Sequence, residues 1–322
     1  MDQSAESAQE RRLSWVSRAL NHPITDWVPS PQRLAYRARV RLAADKDGHL
    51  GFHRPRSSEV LPITECAVAH PALHAALASL PKVPRGVAHL ELRTDGERVV
   101  AAFESHHGGQ GDVRDWLTSL APDALDGADL AVDGKRVRGS CQVEISAGEI
   151  THHLSPGTFY QVNLGINERL VCDVRSAVLA RSPSHVLDAY AGAGNLSMPL
   201  AAQGVSLTQL EQHPSAVRDA KATAERYSLT LSTRQQSAQS FQAGDVFFDL
   251  AILDPPRAGV GKMMAQLLLT RPASLVMVSC NPTTLGRDLR APLKAGFKIT
   301  QATVYEMFPQ TEHAEVMVVL DR

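Results

Sequence analysis

One stretch constrains this chain more than any other: Val186-Leu187-Asp188-Ala189-Tyr190-Ala191-Gly192-Ala193-Gly194-Asn195. An apolar strand enters a glycine turn, and the turn enters the helical LSMPLAA. Glycines there let the backbone pass close to a ligand, and the following helix begins with free N–H groups. Taken alone the loop reads equally as a tight strand-to-helix turn, and it is not GxGxxG. Its surroundings say more. From about Ser155 onward strands and helices alternate, with helices expected over 168–180, 216–226, 262–269 and 282–295. Strands are expected over 186–188, 205–210, 247–253, 275–279, 298–305 and 316–320. Such alternation implies an α/β, doubly wound, mostly parallel sheet, whose ligand sits beyond the carboxyl ends of its strands.

The sequence signals fall at those ends. The strand over 205–210 stops at Glu211, 23 residues after Asp188, where an acid can accept hydrogen bonds from both ribose hydroxyls of a nucleoside. Asp254-Pro255-Pro256-Arg257 ends the strand over 247–253. Loop, acid and DPPR together suit adenosine binding by a class I methyltransferase. An NAD enzyme would need a third glycine to cradle pyrophosphate, and position 197 is Ser. Arg257 could hold a phosphate or a carboxylate, or make a loop salt bridge.

Cys280 follows the apolar run Leu275-Val276-Met277-Val278 and precedes Asn281-Pro282. A free Cys is most often packed and inert. Here it stands at a strand end, and a helix starting near Pro282 would favour its thiolate. His313-Ala314-Glu315 precedes the last strand and offers a base, with His313 either orienting Glu315 or serving structure. A thiol redox protein would want a resolving cysteine nearby, and there is none. Cys66, Cys141, Cys172 and Cys280 include no CxxC pair, which excludes a zinc ribbon and argues against a disulfide framework.

The first 150 residues read differently. An amphipathic helix over 1–20 (Leu13, Val16, Leu20) leads into the proline-rich connector HPITDWVPSPQR. Then 36–42 alternates strictly, aiming Arg37, Arg39 and Arg41 at one face. Strands over 87–92, 99–103, 130–132 and 142–145, with helices over 69–79 and 113–120, suggest a small α+β domain. His106 and His107, beside two glycines, read as an exposed turn. Between Arg11 and Arg56 nine Arg and one Lys face three Asp, a balance of +7 in a chain of net charge -1. That asymmetry is either a solvated face or a surface for an anionic partner such as RNA. The chain has 322 residues, 43% hydrophobic and 21% charged, with a polar start and no apolar run of membrane length. A cytoplasmic monomer without membrane contact is expected.

The motifs SPGTFYQVN (155–163), DAYAGAGN, LDPPRAG, VSCNPTTLGRDL and MFPQTEHAEVM, in this order, resemble the RNA (uracil-5-)-methyltransferases that modify tRNA and bacterial 23S rRNA. The resemblance covers nearly the whole chain, weakly before residue 150. It implies a small α+β RNA-binding domain over 1–154 and a Rossmann-like class I methyltransferase domain over 155–322. It implies S-adenosylmethionine as methyl donor, Cys280 as nucleophile and Glu315 as base. Gln161, Tyr190, Gly192, Asn195, Glu211 and Asp254 are then the cofactor contacts, with Asp254 also near the uracil edge. Many members add an N-terminal OB-like domain, for which this length leaves no room, and a four-cysteine iron–sulfur cluster. Only Cys66 matches a cluster ligand, so no cluster is expected. The C-terminal motifs stand closer to the 23S rRNA members than to the tRNA members. A cytosine-C5 enzyme would place Pro before its cysteine where Ser279 stands here, and an N6-adenine enzyme would place an aromatic residue at Arg257. An RNA-binding protein with decayed catalysis would have lost Cys280, Glu315 or the glycine loop.

Overall fold

The computed structural model describes residues 5–106, 109–120, 125, 128–244 and 246–322. His107 and Gly108, half of the turn read around His106, lie outside them. The chain divides into two compact units: Met1–Pro31 with Ser146–His152 and Gly165–Arg322, and Gln32–Ile145 with His153–Leu164. A single cut after residue 154 does not describe this, because the N-terminal segment belongs with the C-terminal half. The reason is burial. On the helix Ala5–Leu20, Val16 and Leu20 share a core with Leu285, Leu289 and Phe297. That helix passes so close to the helix Pro282–Asp288 that a Cβ on Gly286 would stand 2.0 Å from the Ala19 carbonyl oxygen.

The larger unit is built on an eight-stranded sheet. Its order is Asp26–Val28, Lys298–Tyr305, Glu315–Asp321, Ser274–Ser279, Leu250–Leu253, His185–Ala189, Ser206–Glu211 and Leu231–Gln235. All neighbours run parallel except Glu315–Asp321, which is antiparallel to both strands beside it. The inner strands are apolar throughout because both faces are covered. Leu187, Ala251, Leu275, Met277 and Val318 pack on one side, while Val186, Ile252, Val276, Val278 and Met317 pack on the other. The second side is closed by the helix Leu164–Leu179, whose Ile166, Leu170, Val171, Val174 and Val178 recur at helical spacing. Strand order reverses around His185–Ala189, which places a binding crevice at its carboxyl end.

Asp26–Val28 lies within the stretch expected to be a bare connector. It pairs in parallel with Thr303–Tyr305, Asp26 opposite Thr303. Nearby, Arg12 Nη1 donates to Glu306 Oε1 at 2.9 Å, Arg12 Nη2 donates to the Thr311 carbonyl, and Ser30 N donates to Glu306 Oε2 at 3.2 Å. Both charged side chains are almost wholly buried. Arg12→Ala would remove the guanidinium from a buried carboxylate and should destabilise this unit by about 3–5 kcal/mol. Urea unfolding should show the loss, and an Arg12→Met/Glu306→Leu double variant should recover most of it.

The smaller unit carries a seven-stranded sheet in the order Val60–Pro62, Leu50–His53, Arg39–Ala44, Val87–Thr94, Val99–Ser105, Asp129–Val132, Lys135–Arg138. Val40, Leu42, Leu90, Leu92, Phe103 and Leu130 form its core. The alternation expected over 36–42 holds in burial: Tyr36, Ala38, Val40 and Leu42 are inside. The arginines between them are not a row of unpaired cations, however. Arg39 lies 3.7 Å from Glu91 and Arg41 2.6 Å from Glu104, on the two strands that follow across the sheet. Arg37 precedes the strand and makes isolated bridges with Ala69 and Asn163. Opposite charges across a sheet attract, so much of the +7 balance is neutralised locally.

Candidate active site

The glycine loop is held by its own backbone demands. Tyr190 sits at φ +65°, Gly192 at +56° and Gly194 at +87°. A Cβ on Gly194 would stand 2.6 Å from Met198 Cγ and 2.7 Å from Gln209 Nε2, so only glycine fits there. Beside Gly192 the same position opens on empty space, which leaves room for a ligand against the backbone. Glu211 ends the neighbouring strand and fixes the loop to it. Gly192 N donates to Glu211 Oε2 at 2.9 Å, and His213 N donates to Oε1 at 2.7 Å. Each carboxylate oxygen keeps a further lone pair for a diol.

Behind the loop lies a polar chain that the sequence reading did not single out. Ser197 Oγ donates to Asp188, Gln209 Nε2 donates to Ser197 Oγ at 2.9 Å, and Thr233 Oγ1 donates to Gln209 Oε1 at 2.9 Å. Burial raises the Asp188 carboxyl to about 7, while the Ser197 bond opposes the shift. Ser at position 197, noted earlier as a missing glycine, anchors this chain. Asn195 exchanges two amide hydrogen bonds with Asn167, at 3.0 and 2.8 Å. The Tyr190 hydroxyl donates to the Val260 carbonyl at 2.9 Å and accepts from Gln239 Nε2 at 2.8 Å. The side chains of Asn195 and Tyr190 are thus engaged within the protein. Gln161 belongs to the smaller unit, where it lines a small cavity with Arg39, Arg93 and Tyr160.

The second half of the site lies at two adjacent strand ends. Ser279 pairs with Val316 across an antiparallel ladder, which sets Glu315 beside Cys280. Cys280 is half-buried and Glu315 is 2% exposed. Asp254, after Leu253 on the next strand, and Arg257 complete the cluster around the thiol. Burial first, then Glu315, pushes the Cys280 thiol up, and Arg257 opposes both through its charge and a hydrogen bond. Burial, then Asp254, holds Glu315 well above the usual carboxylate range, again against Arg257. Burial raises Asp254 to about 7.

The helix at Pro282 was expected to favour the thiolate, yet the net shift is upward. Asn281 caps that helix, its Oδ1 accepting from Thr283 N at 3.2 Å and Thr284 N at 3.4 Å. The first N–H groups are therefore taken, and burial, followed by the Glu315 charge, carries the thiol upward. Arg257 Nη2 lies 3.4 Å from His313 Nε2, and Phe308 meets the His313 ring edge-on. The loop after Arg257 is tied down by Asp288, which accepts from Val260 N at 2.6 Å.

This strand order, with its antiparallel final strand Glu315–Asp321, glycine loop and acid-tipped second strand, defines a class I S-adenosylmethionine-dependent methyltransferase. Residues 215–322 match the model of the tRNA (uracil-5-)-methyltransferase family. The chain is 31% identical over 316 residues to the Chromohalobacter salexigens 23S rRNA (uracil(1939)-C(5))-methyltransferase RlmD, covering 92% of this chain and 66% of that protein. Against the enzyme of that name from Salmonella typhimurium it is 29% identical over 339 residues, covering 98% and 77%. It therefore spans about two thirds to three quarters of their length. The solved Pyrococcus abyssi tRNA (uracil-54, C5)-methyltransferase in complex with S-adenosyl-L-homocysteine superposes with a TM-score of 0.81 at 23% identity, over 98% of this chain and 83% of that one. The chain belongs to the RNA (uracil-5-)-methyltransferase family, whose methyl donor is S-adenosylmethionine. Among the described residues, no helix is long and apolar enough to cross a membrane.

Proposed function

We propose that this chain forms 5-methyluridine in 23S rRNA through a covalent adduct between Cys280 and C6 of the target uracil. The observation that carries it is the meeting of Cys280, Glu315, Asp254 and Arg257 at adjacent strand ends. C5 of uracil is too weak a nucleophile to attack a methyl sulfonium directly. Thiolate addition forms the S–C6 bond and moves an electron pair to the enolate, which is nucleophilic at C5. Bound S-adenosylmethionine would supply the methyl group, the C5–methyl bond forming as the sulfonium S–methyl bond breaks and S-adenosylhomocysteine leaves. Glu315, as carboxylate, then takes the C5 proton, the C5–C6 double bond re-forms, and the S–C6 bond breaks to return the thiolate. Arg257 favours the ionised forms of both groups. Asp254, with a carboxyl near 7, can present a proton to the uracil edge. The donor set suits the cofactor: Glu211 for the ribose hydroxyls, the Gly192 backbone for close approach, and the Tyr190 and Asn195 region around them. Gln161 is assigned by its sequence motif, and the smaller unit is assigned to RNA binding.

The rRNA target rests on the RlmD relatives, which match over nearly the whole chain. Incubation with 23S rRNA and with total tRNA, followed by digestion to nucleosides, tests it. 5-Methyluridine in rRNA is expected. The same product in tRNA alone would move the substrate, and 5-methylcytidine would overturn the chemistry. For the cofactor, Glu211→Ala should weaken S-adenosylmethionine binding by roughly 1.5–3 kcal/mol, about 10- to 150-fold. Unchanged affinity by calorimetry would remove Glu211 from the site.

A further inference from the structure

We propose that a groove along the N-terminal helix Ala5–Leu20 is a track for single-stranded RNA flanking the target uridine. The proposal rests on the RNA-methylating reading above. The groove lies between that helix and the helices Pro282–Asp288 and Arg290–Lys294, and it holds about 780 Å³. Arg18, Arg287, Arg290 and Thr283 line it, together with Trp15. Trp15 also lines a second cavity of about 170 Å³, with Arg11, Thr311 and Glu312. A single aromatic residue thus joins two open cavities on one helix.

Two observations favour a polyanion there. Among the described residues, neither Arg18 nor Arg290 has an ion-pair partner, while Arg12, Arg39, Arg41 and Arg54 each have one. Arg287, by contrast, is paired with Asp288, Nη2 to Oδ1 at 2.9 Å. Two of the lining residues also stand close in sequence to the reacting centre. Thr283 stands three residues after Cys280, and Glu312 three residues before Glu315. Cations spaced along a groove with an interposed aromatic ring suit a single strand, whose phosphates are neutralised while a base stacks.

The test compares two RNAs bound by the full chain: a hairpin holding the target uridine, and the same hairpin with single-stranded extensions on both sides. Wild type should bind the extended RNA more tightly, with a steeper salt dependence. In Arg18→Gln/Arg290→Gln the affinity ratio between the two RNAs should fall to about one, and the slope on extended RNA should lessen by roughly 0.7 per cation removed. Arg290→Gln alone should give about half that change, which guards against a misfolded double variant. A double variant that keeps the wild-type ratio and slope would overturn the track and leave the groove to a protein partner. Methylation of the short hairpin by wild type separates failure of this proposal from failure of the proposed reaction.

Discussion

Cys280→Ala should abolish methyl transfer to RNA, by on the order of 10⁴-fold or more, the scale on which removing a covalent nucleophile acts. Without the C6 adduct, C5 has no carbanion character to offer. Cofactor affinity should persist, because no hydrogen bond of the Gly192–Glu211 region depends on the thiol. Single-turnover methylation with labelled cofactor measures the loss, and retained turnover would show the nucleophile to be another group. The pH profile follows from the same cluster. The thiol is raised, so below its pKa the thiolate fraction grows tenfold per pH unit. The rate should therefore rise with pH through the neutral range. Arg257 is the group that pulls both Cys280 and Glu315 down. Arg257→Gln should displace the rising limb to higher pH.

Glu315→Gln should fail later in the reaction. Thiolate addition and methylation need no base at C5, but elimination does. Turnover should fall by roughly 10²–10⁴ while the methylated adduct accumulates as a protein–RNA band that survives denaturing electrophoresis. The band should be absent from Cys280→Ala. RNA carrying 5-fluorouridine should trap the wild type in the same way, because fluorine cannot leave as a cation. A Glu315→Gln enzyme that turns over without trapped adduct would assign the base to another group or to water.

The catalytic sheet was legible because both of its faces are buried, so strands such as Ser274–Ser279 read as unbroken apolar runs. Leu231–Gln235 and Asp26–Val28 were not, for a common reason. They are edge strands, partly exposed, and Leu231-Ser232-Thr233-Arg234-Gln235 carries no hydrophobic pattern of its own. The domain cut at 154 failed because the partners of Val16 and Leu20 lie more than 200 residues away, beyond any local signal. Cys280 and Glu315 could be named from their motifs, but not the direction of the thiol shift. That depends first on how deeply the thiol is buried and then on Glu315 meeting it across the sheet. Nor could spacing show that Arg39 and Arg41 are paired, since Glu91 and Glu104 lie about 50 and 60 residues on. The Asp188–Ser197–Gln209–Thr233 chain was missed because its members sit on three different strands and a turn.

The Asp26–Thr303 pairing also bears on how the protein is made. These residues are 277 positions apart, so the edge strand has no sheet to join until nearly the entire chain has been synthesised. At about 5–20 residues per second, the interval is roughly 14–55 s. During that time the N-terminal helix has neither Leu285 nor Phe297 to cover Val16 and Leu20. The nascent chain therefore carries an unpaired strand edge and an uncovered apolar stripe near its leading end, the kind of surface on which a holdase chaperone acts.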